Sequence, residues 1–114
     1  MGNEAEQLVD ELLVMDCQSG RVEAMEALVS RWQKRLWSYA RRLTGDSDAA
    51  WDITQESWLA IVGGIGRLHD PARFRPWVYR IVTHKADDWI AGNARSRRRR
   101  LEMRREEPKQ AGRR

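Results

Sequence analysis

Apolar residues recur at three- and four-residue steps through most of the chain, and no segment shows the strict two-residue alternation of a strand. The pattern predicts an all-α fold, a compact bundle of about four helices. In the first segment Ala5, Leu8, Val9, Leu12 and Leu13 form one apolar stripe, opposed by Glu4, Glu6, Asp10 and Glu11. Gln18-Ser19-Gly20 interrupts it. A longer helix follows, with Val22, Met25, Leu28, Val29, Trp32, Leu36, Tyr39 and Leu43 in phase, and is expected at the centre of the core.

Thr44-Gly45-Asp46 is a stop-and-restart signal: Gly45 can take the left-handed C-cap conformation, and Asp46 or Ser47 can cap the next helix. The two helices should form an antiparallel hairpin at the centre of the bundle. The helix from about Ser47 to Val62 has two faces. Ala50, Ile53, Thr54, Ser57, Trp58 and Ile61 should pack inward, leaving Asp48, Asp52, Gln55, Glu56 and Leu59 free. Gly63-Gly64 gives it a soft end, and a loop through Gly66, His69, Asp70 and Pro71 leads to a last helix. Pro76 is tolerated only in a first turn, so that helix should begin near Arg73 to Arg75. Ala91-Gly92-Asn93 weakens it before an arginine run, which divides the chain into a helical domain, 1–94, and a basic C-terminal tail or linker, 95–114. Leu28, Trp32, Leu36, Ile53, Trp58, Trp77 and Ile81 are expected in one core of a monomeric domain.

Length changes this picture little: 114 residues favour one domain able to fold without staples. The single cysteine, Cys17, excludes an internal disulfide and multi-cysteine zinc patterns and suits a reducing cytoplasm. No apolar run approaches the roughly 18 residues of a membrane span, and the N-terminus is acidic where a secretory signal is basic. Met1-Gly2 does not make a myristoylation signal, because the sixth position is Glu6. Charge changes the picture more. Residues 91–114 hold 10 Lys/Arg against 3 Asp/Glu, a net of +7, which leaves 11 and 14 of the chain's 21 and 17 for residues 1–90, a net of −3. A basic tail beside a mildly acidic body fits a polyanion partner; a solvated tail or an anionic membrane surface is the other reading.

Several segments are candidates for function. Asp48, Asp52, Gln55, Glu56 and Leu59 make an acidic stripe with one aliphatic anchor, suited either to a basic helical partner or to plain solvation. Phe74-Arg75-Pro76-Trp77-Val78-Tyr79-Arg80 interleaves aromatic rings with arginines, a composition able to stack unpaired bases and hold phosphates, although Trp77 is in phase with the core. His84 follows Arg80 by one helical turn, and Arg95 with Arg97, Arg98, Arg99 and Arg100 could contact phosphates without reading sequence. With two histidines and no phosphate-binding glycine loop, zinc spacing or nucleophile elbow, the chain is expected to be no enzyme and to need neither metal nor cofactor.

The order of these segments resembles the second conserved region of extracytoplasmic-function (ECF) sigma factors, in the sigma-70 family. Glu26-Ala27-Leu28 through Tyr39-Ala40-Arg41-Arg42-Leu43-Thr44-Gly45-Asp46 is similar to that region's opening. Asp48-Ala49-Ala50-Trp51-Asp52-Ile53-Thr54-Gln55-Glu56-Ser57-Trp58-Leu59 resembles its polymerase-binding helix, and Phe74 to Val82 its melting and recognition helix, followed by a basic run. The resemblance covers about residues 21–100. It implies a transcription-initiation module that places Asp52, Gln55 and Glu56 against the clamp coiled coil of core RNA polymerase. It also implies that the loop from Gly63 to Arg73 and the last helix recognise and melt the promoter −10 element through its single-stranded non-template strand, with a base flipped into a pocket. Arg75, Tyr79, Arg80, Thr83 and His84 are the candidates for that surface. His84 stands where relatives often carry Asn, and Trp89 where they carry a basic residue. The family's second DNA-binding domain does not follow the basic run, as in an excised domain or a stand-alone version; the Met1 start favours a cut on the C-terminal side. Two other readings are a sigma-like interaction module that docks on polymerase or an anti-sigma factor without directing initiation, and a basic helical protein that coats nucleic acid nonspecifically.

Overall fold

The computed structural model describes residues 2–111, with side chains of 3–105. Four helices account for nearly all of it: α1 (Gly2–Gln18), α2 (Val22–Thr44), α3 (Ser47–Gly64) and α4 (Phe74–Ala111), with 3₁₀ turns at Ile65–Arg67 and Pro71–Arg73 between the last two. The all-α class and the central hairpin agree with the apolar periodicity. Among the described residues there is no strand and no helix long and apolar enough to cross a membrane.

α2 is the axis, because α1, α3 and α4 all pack on it. Its buried residues Ala24, Leu28, Trp32, Leu36 and Ala40 fall at strict four-residue spacing, the row that helix packing buries. It ends as expected at Gly45, whose φ of 71° lets its N–H donate to the Arg41 carbonyl at 2.8 Å. The Asp46 carboxylate accepts from the Ala49 N–H at 3.0 Å and starts α3, a cap worth about 1 kcal/mol. All six residues expected on the inner face of α3 are buried, together with Ala49.

Two expectations are corrected. On α1 the buried positions are Asp10 and Val14, with Leu13 and Cys17 half-buried, while Leu8 and Leu12 are 57% and 52% exposed. The polar contacts set this rotation: Asp10 accepts from Arg31 Nε at 2.8 Å and from the buried Trp32 Nε1 at 3.1 Å, so the carboxylate is drawn inward and the leucines turn out. On α4 the buried row is Phe74, Val78, Val82 and Ala86, and Trp77 and Ile81 flank it half-buried. α4 also runs past Gly92, the position expected to weaken it. The helix continues through the arginine run, with every described side chain from Asn93 to Arg105 exposed. At 1.5 Å per residue, its 38 residues make a rod of about 57 Å, which explains the 70 Å long axis of the molecule.

Candidate nucleic-acid interface

The α3–α4 connection forms a recess of about 460 Å³ lined by Gly64, Arg67, Leu68, His69, Asp70, Arg73 and Trp77. Local bonds hold its backbone in place. Asp70 caps the second 3₁₀ turn by accepting from the Ala72 N–H at 3.0 Å. From α1, the Gln18 amide donates to the carbonyls of Ile65 and Leu68 at 2.9 and 2.8 Å. A Cβ at Gly64 would lie 3.0 Å from Trp77 Cζ2, a tight contact that would make the indole give by a few tenths of an ångström. The indole therefore lies against bare backbone and forms one wall. A smaller recess lined by Leu68, Arg73, Pro76, Trp77 and Arg80 adjoins it and brings the first wall to the exposed face of α4. Three arginines and an indole around an open concavity suit a nucleobase with its flanking phosphates.

The α4 candidates divide into two groups. Arg80, which lines the smaller recess, and His84, one turn further along, are exposed. Arg75, Tyr79 and Thr83 turn toward α2 and are half-buried. Arg75 lies over the Trp32 ring at 5.4 Å, and Tyr79 packs edge-on against Trp32 and Tyr39 at centroid distances of 5.8 and 4.9 Å. The Thr83 hydroxyl donates to the Tyr79 carbonyl at 2.8 Å and so accepts from the Tyr39 hydroxyl at 2.7 Å. Tyr79 and Thr83 thus join α4 to α2 as well as reaching the surface. Arg95, Arg97, Arg98, Arg99 and Arg100 project from the free part of α4 and are all exposed. Because successive residues are 100° apart, the run from Arg97 to Arg100 encircles the rod, and about half of it can face one strand.

On the far side of the hairpin, Asp48, Asp52, Gln55, Glu56 and Leu59 are all exposed, Leu59 at 76%. The acids form no ion pair among the described residues. Trp51 and Val62 are exposed on the same helix, a larger apolar area than Leu59 alone supplied. Sequence reasoning missed these two and Gln18, and covered Arg67 and Arg73 only as part of the loop from Gly63 to Arg73. Trp51 could have been found from the helical phase, one residue outside the buried row, whereas the recess residues gather only through the fold. No group of three or more potential metal ligands occurs among the described residues.

Residues 28–96 match the family model for sigma-70 region 2. Among curated proteins, the chain is 32% identical over 91 residues to the ECF RNA polymerase sigma-E factor of Haemophilus influenzae, covering 80% of this chain and 48% of that one. The sigma-E factor of Escherichia coli K12 is 29% identical over 91 residues, covering 80% and 47%. Among solved structures, an engineered region 2 of sigmaE in complex with GTAAAA, determined by NMR, superposes with a TM-score of 0.68 at 28% identity, over 76% of this chain and 90% of that one. The all-helical fold and this match over more than half the chain establish that it belongs to the sigma-70 region 2 family, in its ECF group. It spans about half the length of the curated relatives it matches.

Proposed function

We propose that this chain is a transcription-initiation module that docks on core RNA polymerase through the outer face of α3 and captures the non-template strand of the promoter −10 element in the loop recess and along α4. The observation that carries the strand reading is the recess itself: Trp77, Arg67 and Arg73 line it, Arg80 lines the adjoining recess with His84 exposed one turn further along α4, and a region 2 relative of similar fold binds GTAAAA. One base leaves the stack and enters the recess, while phosphates on either side meet the arginines. The cost of unstacking, a few kcal/mol, is offset by stacking and charge contacts that exist only once the strand is open. No bond is made or broken; opening is a shift of equilibrium through differential binding.

Docking rests on Asp48, Asp52, Gln55, Glu56 and Leu59, an unneutralised acidic surface around an apolar anchor, which complements a basic coiled coil. The test is Asp52→Arg with Glu56→Arg. Both side chains are exposed, so the fold should persist by circular dichroism, while binding to core polymerase in a pull-down should be lost. Parental affinity for polymerase in that variant would refute the docking assignment.

A further inference from the structure

α1 keeps an apolar stripe that nothing in the bundle covers. Ala5, Leu8, Leu12 and Met15 recur at steps of three, four and three, all exposed, because Asp10 and Val14 take the inward side of the helix. Residues so spaced lie along one line of an α-helix, the seam through which coiled-coil helices pair. Acids border it, Glu4 and Glu11 on one flank and Asp16 on the other, and none is in an ion pair among the described residues.

The free rod of α4 carries the complement. Ala94, Arg97, Leu101 and Arg104 repeat the same steps of three, four and three, in line with the exposed Ile90 one turn earlier, and Arg98 and Arg105 flank them. An arginine lays its methylenes along an apolar seam and turns its guanidinium to the rim, so Arg97 and Arg104 can pack beside leucines while meeting acids. The lengths also match: α1 has 17 residues, and the rod from 93 to 111 is about as long.

We propose that the α1 stripe receives the α4 rod of a second copy of this chain, each copy giving one rod and accepting the other in a two-fold pair. The rod does not reach α1 of its own chain. α1 meets α4 at its first turn, where Gln7, Asp10 and Glu11 line a crevice with Phe74 and Arg75, and Asn93 lies about 27 Å further along the same helix. Reciprocal exchange closes, so assembly stops at two copies. Spacing, opposed charge and length agree between two surfaces of one chain, which favours a second copy over an unrelated partner. A polyanion would cover the arginines and leave Leu101 and the α1 leucines bare.

Sedimentation velocity of the whole chain over a range of concentrations, after nuclease treatment, tests this. The mass should rise from one copy to two, and pairing should weaken as salt rises, because screening removes the attraction between acids and arginines. Leu8→Gln with Leu12→Gln spoils the acceptor, and Arg97→Glu with Leu101→Gln spoils the rod; all four side chains are exposed, so circular dichroism should be unchanged. Each variant alone should stay monomeric. Mixed, they should form a pair weaker than the parent's, because the first still gives a sound rod and the second a sound α1. A misfolded variant would not restore pairing in the mixture. A parent chain that stays monomeric at every concentration, growth beyond two copies, or a mixture without a pair overturns the proposal. So does pairing that persists in one variant alone: in the Leu8/Leu12 variant it would mean rod against rod, and in the Arg97/Leu101 variant α1 against α1.

Discussion

Trp58 is the largest side chain that α3 buries, 7% exposed, and its Nε1 has no hydrogen-bond partner among the described residues. Truncation to Ala should cost about 3–5 kcal/mol by loss of buried area and creation of a cavity. Trp58→Phe should cost less than volume alone implies, because it also removes an unpaired N–H, a group that costs about 1–3 kcal/mol when left unsatisfied. Urea unfolding of both variants checks this, and an unchanged midpoint for the Ala variant would contradict the packing. Cys17 offers a chemical counterpart. Burial, reinforced by the neighbouring Asp16, pushes its thiol up from the ordinary range. Alkylation at neutral pH should therefore be slower in the folded than in the urea-unfolded chain. The linked stability is fully present below the unfolded thiol's pKa and is lost as pH rises through the higher folded value, which denaturation at alkaline pH can follow.

At the scale of the element, α4 is two helices in one: a packed half and a free rod. Gly92 sits at the junction, where an added Cβ would meet only Arg95 Nη2 at 3.8 Å, an ordinary contact. Gly92→Ala should therefore stabilise the rod by about 0.5–1 kcal/mol, seen as slower amide exchange across residues 93–105. The rod's charge predicts a different measurement. Replacing Arg97, Arg98, Arg99 and Arg100 by Gln should lower the salt slope for single-stranded DNA by about 1.4, not by the full four contacts, because the run encircles the helix. The loss should be equal for all sequences; a loss confined to one sequence would mean the run reads bases.

Across the whole molecule, the proposed docking face and the proposed strand surface lie on different helices, so their losses should separate. Arg80→Ala with His84→Ala, both exposed, should spare polymerase binding while weakening strand opening. The Asp52/Glu56 reversal should do the opposite, keeping or slightly raising affinity for single-stranded DNA through its added positive charge. A pull-down and an opening assay run on both variants decide this, and a shared defect would mean that the two surfaces are one. Tyr79→Ala is less suited to this purpose, because the ring also joins α4 to Trp32 and Tyr39.

What the sequence determined by itself is whatever depends on near neighbours along a helix. Periodicity marked the all-α class, Gly45 and Asp46 marked the α2–α3 corner, and phase separated Ile53, Thr54 and Trp58 from Asp52, Gln55 and Glu56. Tertiary structure decided what depends on distant partners. The rotation of α1 follows from Asp10 meeting Arg31 and Trp32, which hydropathy ranks as a polar residue on the wrong side. The phase of α4 follows from the aromatic contacts of Phe74 and Tyr79 with Trp32, where local spacing had equally allowed Trp77 and Ile81. The recess joins Gly64, Arg67, Arg73 and Trp77 under the hold of Gln18, some 50 positions away from Leu68. Such gatherings depend on how helices cross, a property of packed surfaces that repeats of three and four along one stretch of sequence do not encode.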